Sequence, residues 1–147
     1  MAAERAAEIL AMGSDDAGRV AQTIDRDDSV PWLGPIATPG QWSDAVVAAR
    51  QVTIAAARQG RTITYGELRV AAYKATGMKV GHNQYADLAM AVNSGDDGCL
   101  LSAIILEKGS GEPGGGFLPY ARDQGFDEPV ATLQRRVHEH FRDAPVT

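Results

Sequence analysis

The sequence predicts a mostly helical α+β fold, and three observations predict it. Apolar residues recur at 3.6-residue spacing in segments that end at Gly60, Gly77 and Gly95. A nearly unbroken apolar run, Leu100-Leu-Ser-Ala-Ile-Ile-Leu106, is typical of a buried strand. The glycine-rich residues 109–116 follow that run as a predicted loop.

Length and composition indicate one globular domain. The chain has 147 residues, of which 44% are apolar and 22% charged. It has no apolar stretch of membrane-spanning length, and its first residues lack the features of a signal peptide. Cys99 is the only cysteine, which excludes an internal disulfide and fits a reducing compartment. We therefore expect a cytoplasmic protein without membrane contact.

Residues 1–38 are predicted to form an N-terminal helical and irregular appendage. A short helix over residues 3–12 stops at Gly13, and a second weak helix extends from there to about residue 24. A connector with prolines follows. We expect its order to depend on docking, with Trp32 as the residue that contacts the core.

Residues 39–147 are predicted to form the main domain, which begins with a capped helix. Thr38 has the side chain of an N-cap, and Pro39 suits the first turn. The helix extends to Gly60. Its apolar face comprises Trp42, Val46, Ala49, Val52, Thr53 and Ala56.

The run Arg61-Thr-Ile-Thr-Tyr-Gly-Glu-Leu68 is the most informative stretch. Thr64 and Glu67 have the spacing of a capping box, in which each side chain bonds the other residue's amide. This pattern predicts a second helix over residues 65–76, and a third helix follows over residues 83–94.

Beyond the loop, residues 117–120 are predicted to return in extended form, and Asp127 to cap a final helix. Three helices, a strand, a loop and a returning segment form the order of a winged helix-turn-helix with a small β-hairpin wing. In that fold the third helix enters the major groove of DNA. The apolar face of the final helix comprises Val130, Leu133, Val137 and Phe141.

The net charge of −5 is unevenly distributed. Residues 1–40 carry −4, residues 41–94 carry +3, and residues 95–147 carry −4. Only the central part could attract a polyanion. An ordinary solvated helical surface explains this modest excess equally well.

Residues 109–114 match the pattern G-x-G-x-x-G, but we predict no nucleotide cofactor. A phosphate site needs helix amides directly behind the glycines. Pro113 interrupts the amides, Glu112 would repel phosphate, and Pro119 argues against a following helix.

No residue pattern predicts a catalytic or metal site. Cys99 has no histidine near it in sequence, and acidic neighbours disfavour its thiolate. His138 and His140 diverge on a helix, and His82 stands alone.

Two groups of residues carry a resemblance to known families. Tyr65-Gly-Glu-Leu68, a helix ending near Ala89-Met90, a strand and a glycine-rich loop resemble the C-terminal winged-helix domain of O6-alkylguanine DNA alkyltransferases and alkyltransferase-like proteins. This likeness covers about residues 58–116. A longer pattern, which adds Leu101-Ser-Ala-Ile-Ile and Gly111-Glu-Pro-Gly-Gly-Gly-Phe117, resembles a family of small bacterial and phage proteins.

The first resemblance implies a winged helix that approaches DNA, without repair chemistry. The acceptor run Pro-Cys-His-Arg of that family aligns with residues 100–103, which are Leu, Leu, Ser and Ala. The family's base-stack arginine aligns with Gln84, which is not a cation. Alkyl transfer is therefore excluded, and base flipping lacks its cation.

Our first hypothesis is a non-catalytic winged-helix DNA-binding protein. For Asn83 and Gln84, base contact and helix capping are both open interpretations, and Tyr65 is either a phosphate contact or a packed residue. The second hypothesis is a protein-interaction module, which binds a partner or a second copy through the acidic flanks and the aromatic segment 30–42. An enzyme that uses Glu67 or Asp87 lacks a paired constellation. The expected nucleic-acid contacts are Arg61, Tyr65, Arg69, Lys79, Asn83 and Gln84.

Overall fold

A computed structural model describes residues 2–33, 38–81, 84–93 and 98–142. Within these ranges the chain forms six α-helices, a 3₁₀-helix and one pair of short strands. No described helix combines the length and the apolar character that crossing a membrane requires. The elements are α1 (Ala2–Arg26), α2 (Pro39–Arg58), β1 (Ile63–Thr64), α3 (Tyr65–Thr76), α4 (Tyr85–Ala91), the 3₁₀-helix (Leu101–Ile104), β2 (Ile105–Leu106), α5 (Phe117–Asp123) and α6 (Val130–Arg142).

Helix α2 begins as its sequence predicts. The Thr38 amide donates to Gln41 Oε1 at 2.7 Å, and the Gln41 amide donates to Thr38 Oγ1 at 3.1 Å. Together they form a capping box, with Pro39 in the first turn. Its buried face is made of small residues, so neighbouring helices can pack closely. The buried residues are Ala45, Ala48, Ala49, Val52, Thr53, Ala56 and Ala57.

Helix α1 is interrupted at Gly13, where φ is 81°. This confirms the predicted break, because glycine adopts a positive φ without steric cost. The helix packs against both α2 and α3, and its Ile9 and Leu10 belong to the same core as those helices. Where α1 crosses α3, a Cβ on Gly66 would lie 3.3 Å from Gly18 Cα. Small residues therefore allow the close crossing.

The second predicted helix is confirmed as α3. It begins at the Thr64–Glu67 capping box and ends at Gly77, which has the left-handed φ of 70°. The third helix is shorter than residues 83–94, because α4 covers only Tyr85–Ala91. Asn83 and its neighbour His82 lie outside the described residues.

The apolar run after α4 is buried as predicted, but the prediction of one continuous strand was wrong. Leu101–Ile104 form a 3₁₀-helix that begins with a hydrogen bond from the Ala103 amide to the Leu100 carbonyl, at 3.0 Å. Only Ile105–Leu106 form a strand, β2, which pairs in parallel with β1. Burial alone does not distinguish a short helix from a strand.

The predicted extended return at residues 117–120 was also wrong, because this segment is the start of α5. Pro119 occupies the first turn, where its missing N–H removes no intrahelical hydrogen bond. The predicted β-hairpin wing is therefore absent from the described residues. The loop instead closes on itself, with the Glu107 amide donating to the Glu112 carbonyl at 2.8 Å.

Helix α6 packs against the 3₁₀-helix. Leu133, Val137 and Phe141 are buried, which confirms the predicted face. The helix begins at Val130 rather than at the predicted cap, Asp127. Gln134 Nε2 donates to the Ala103 carbonyl at 3.0 Å and so ties α6 to the 3₁₀-helix.

Lys79 holds the connector after α1 against the helical core. Its backbone pairs with residues 31 and 33, and its ammonium donates to the carbonyls of Asp25 and Asp27, both at 3.0 Å. Trp32 covers the ammonium at 4.5 Å from the ring centroid and keeps 46% of its surface exposed. Trp32 therefore shields a buried cation rather than inserting into the core.

We predict that Lys79→Met lowers the free energy of unfolding by about 1–3 kcal/mol, because it removes the two hydrogen bonds by which the buried ammonium holds the carbonyls of Asp25 and Asp27. Urea denaturation followed by circular dichroism measures the change. Arg58→Met, at an exposed position of α2, is the control and should stay within about 0.5 kcal/mol of the native chain. Equal destabilisation of the two variants would contradict the assigned role of Lys79.

Candidate binding groove

Two of the predicted DNA contacts lie in the packing between α1 and the rest of the chain. Lys79 keeps only 3% of its surface exposed, and its donors are directed at the carbonyls of Asp25 and Asp27. The Arg69 guanidinium forms an ion pair with the Asp25 carboxylate, and 14% of the Arg69 side chain is exposed. Both cations are therefore engaged within the fold.

Arg61 joins three elements. Its Nη1 donates to the Leu10 carbonyl of α1 at 3.1 Å, and its Nη2 lies 3.7 Å from Glu67 Oε2. His138 Nε2 of α6 lies 3.1 Å from the Arg61 carbonyl oxygen. About a third of the arginine side chain, 35%, remains exposed. Its contacts give Arg61 a role in holding α1, α3 and α6 together.

Gln84, the residue before α4, makes a hydrogen bond within its own segment. Gln84 Oε1 accepts a hydrogen bond from the Gly81 amide at 3.1 Å. Asn83 lies outside the described residues. Asp87 is the only charged side chain in residues 84–93, so the described part of α4 offers no cation to a phosphate.

Acidic residues of α1 neutralise much of the central basic excess. Cations of α3 and of the loop after β2 each have a carboxylate partner on α1. The exposed pairs contribute little to stability, but they reduce the positive field of this surface. The pairs are Glu8–Lys74 at 2.7 Å, Asp15–Lys108 at 3.2 Å, and Asp25–Arg69.

Tyr65, the remaining predicted contact, lies in a groove of about 440 Å³. The groove opens between the start of α3, helix α4, the loop after β2 and the start of α5. Its lining is largely apolar, with a phenol, a carboxylate and a run of glycines. The lining residues are Tyr65, Ala86, Met90, Glu107, Lys108, Gly114, Gly115, Gly116 and Phe117.

The position of Tyr65 in the groove depends on glycine at position 114. A Cβ on Gly114 would lie 2.7 Å from Tyr65 Oη and 3.3 Å from Glu107 Oε1. Burial raises the pKa of the Tyr65 phenol, the Glu107 charge raises it further, and a backbone hydrogen bond from Gly114 opposes both effects. The phenol is therefore neutral at physiological pH and can donate a hydrogen bond.

Glu107 supplies the charge of the groove. Its side chain is exposed, and no ion pair between described residues involves it. The adjacent Lys108 is paired with Asp15 on α1. The groove therefore presents one uncompensated carboxylate beside apolar walls.

The glycine motif before α5 requires one correction. Helix α5 does follow the glycines, contrary to the expectation based on Pro119. The Phe117 amide donates to the Gly114 carbonyl at 2.9 Å, and the Tyr120 amide to the Gly116 carbonyl at 3.3 Å. With these amides engaged and the Glu107 carboxylate beside them, the loop remains unsuited to phosphate.

Glu67 is a buried carboxylate that does not line the groove. Its side chain has 0% exposure, and Oε1 accepts the Thr64 amide at 3.1 Å. Burial raises the pKa of Glu67, while the Thr64 hydrogen bond and the Arg61 charge oppose the shift. Among described residues, no group of three or more His, Cys, Asp or Glu side chains could hold a metal ion.

Sequence reasoning found Tyr65 but missed the other groove residues. No pattern in the sequence marks Met90, Glu107 or Phe117 as members of a site. The three successive glycines at residues 114–116 were the available signal, because glycine often marks a close approach between backbone and another group.

Comparison with protein-family models, with curated proteins and with solved structures finds no match to this chain.

We predict that the pH dependence of stability has a component from Glu67. Its native pKa lies above the unfolded value of about 4.3, so its contribution favours folding below that pH and is lost as pH rises through the raised native pKa. Denaturant titrations from about pH 4 to about pH 7 should therefore show the native chain losing stability relative to Glu67→Gln.

Glu139→Gln, at an exposed position of α6, is the control for Glu67→Gln and should keep the pH profile of the native chain. If the stabilities of the native chain and Glu67→Gln follow parallel curves, the Glu67 carboxyl does not titrate with a raised pKa.

Proposed function

We propose that this protein is a non-catalytic protein-interaction module, and that a segment of a partner protein docks in the groove between α3, α4 and α5. The groove itself carries the proposal, because a concave, largely apolar site with a few convergent polar groups is the usual form of a binding site. Its volume of about 440 Å³ lies within the range of about 300–1,000 Å³ that is common for small-molecule pockets, so the groove can receive side chains of a docking segment.

The surface beside the groove suits a polypeptide segment. Ala86 and the half-buried Met90 provide apolar walls, and Leu118, at the start of α5, is 44% exposed. Gly115 and Gly116 are exposed and have no side chains, so a partner's main chain can approach them closely.

The charges favour a protein partner over DNA. Lys79 is buried, Arg69 is paired with α1, and the only charge in residues 84–93 is the carboxylate of Asp87. Binding to duplex DNA depends on cations that neutralise phosphates.

DNA binding by a winged helix stays the competing prediction. The order α2, β1, α3, α4 and β2 supports it, since three helices and a strand occur in the sequence of that fold. The winged-helix assignment is part of this competing hypothesis.

Site-specific photo-crosslinking tests the proposal. A photoreactive phenylalanine replaces Ala86, which lines the groove, or Val47, which is 50% exposed on α2 and does not line it. We expect a discrete protein adduct from position 86 in cells, resistant to nuclease, and none from position 47.

Filling the groove should abolish that adduct. Gly115→Leu places a side chain at the lining, where an added Cβ meets nothing within 4 Å, so the fold is retained. Gly109→Leu is the matched control, because it has equal space in the same loop and does not line the groove. We expect Gly115→Leu to lose the adduct and Gly109→Leu to keep it.

Two results would contradict the proposal. One is an adduct of equal yield in the two leucine variants. The other is retention of duplex DNA by the purified chain that falls steeply as salt rises, which would favour the DNA hypothesis instead.

A further inference from the structure

We propose that the groove recognises an arginine side chain on the docking segment. This inference rests on the proposed function and names the residue that the groove selects. The groove combines one carboxylate, Glu107, with an aromatic ring, Tyr65, and the apolar side chains of Ala86 and Met90.

Charge is the first reason for a cationic ligand. Glu107 is exposed at the groove and has no ion-pair partner among the described residues. The nearest lining cation, Lys108, is bound to Asp15 at 3.2 Å. The groove therefore has a local negative charge, which attracts a cation and repels carboxylates and phosphates.

The walls favour a cation on a long apolar stem. Ala86 and the half-buried Met90 can contact the methylene groups of such a side chain, as apolar surfaces do when a charged head remains near solvent. The Tyr65 ring lines the same groove, and aromatic rings attract cations. A small ammonium ion would leave these walls without contacts.

The geometry of the polar group favours arginine over lysine. A guanidinium is planar, stacks on aromatic rings and donates two parallel hydrogen bonds to one carboxylate. Tyr65 Oη lies 2.7 Å and Glu107 Oε1 lies 3.3 Å from the point that a Cβ on Gly114 would occupy, so the phenol and the carboxylate border the same small space. One planar cation can therefore contact the ring of Tyr65 and the oxygens of Glu107 together.

The glycine loop allows the rest of a peptide to pass. Gly115 and Gly116 are exposed, and a Cβ added to either meets nothing within 4 Å. A main chain can therefore cross this wall while one side chain enters the groove. This arrangement suits an arginine within an extended segment.

The test is an NMR titration of the isotope-labelled full chain with defined peptides. The probes are acetyl-Gly-Ala-Arg-Ala-Gly-amide and the same peptide with citrulline, which has the shape of arginine without its charge. A third peptide carries lysine. We expect the arginine peptide to shift the amides of residues 114–117 and to bind about fivefold more tightly than the citrulline peptide, as an exposed ion pair allows.

Variants of the chain test whether the Glu107 carboxylate binds the arginine of the peptide. Glu107→Gln should reduce the affinity for the arginine peptide about fivefold and leave the citrulline peptide unchanged. Gly115→Leu should abolish binding of both, and Gly109→Leu should change neither. Thermal denaturation of each variant verifies that the fold persists.

Three outcomes would overturn the inference: equal affinity for the arginine and citrulline peptides, tighter binding of the lysine peptide, or shifts away from residues 114–117. If these occur while the adduct at position 86 persists and is lost in Gly115→Leu, the groove binds a partner through another residue. If the adduct is also absent, the proposed function fails with the inference.

Discussion

The burial of one carboxylate, Glu67, at the start of α3 is the constraint on which the rest of the structure depends. It accepts the Thr64 amide and lies 3.7 Å from the Arg61 guanidinium. Arg61 in turn bonds the Leu10 carbonyl of α1, and its own carbonyl contacts His138 of α6. Because a buried carboxylate is costly without partners, these contacts must form together. These contacts hold Thr64 at the end of β1. They therefore also set the direction of Tyr65, the first residue of α3.

Electrostatics then determine which surfaces remain available. The sequence separates its charges into acidic ends and a basic centre, and the fold brings the acidic N-terminal helix onto the basic centre. Asp25 pairs with Arg69, and the carbonyls of Asp25 and Asp27 accept the Lys79 ammonium. A charge excess that looks like a binding surface along the chain is therefore used in folding. The groove beside α4 retains a carboxylate, so its field favours cations.

Local sequence signals predicted the elements whose causes are local. The caps at Thr38 and Thr64, the break at Gly13 and the left-handed end at Gly77 all follow from one residue and its near neighbours. The wrong predictions concern segments where burial or distant contacts decide between a helix and a strand. The apolar run after residue 100 divides into a 3₁₀-helix and a two-residue strand paired with β1, and burial of the whole run does not reveal this division. Segment 117–120 is helical because a proline in a first turn loses no hydrogen bond.

The sequence by itself determined the mostly helical fold, the caps and ends of α2 and α3, and most of the buried faces of α2 and α6, because helix periodicity and capping act over a few residues. It also identified Tyr65 as a residue of interest. Only the tertiary structure decided that Tyr65 meets Glu107 and Gly114 at one groove, while Lys79 and Arg69 are held against α1. These residues are far apart along the chain, and their meeting depends on the docking of α1 and on the β1–β2 pairing. The identity of a site follows from such distant contacts, which no local pattern records.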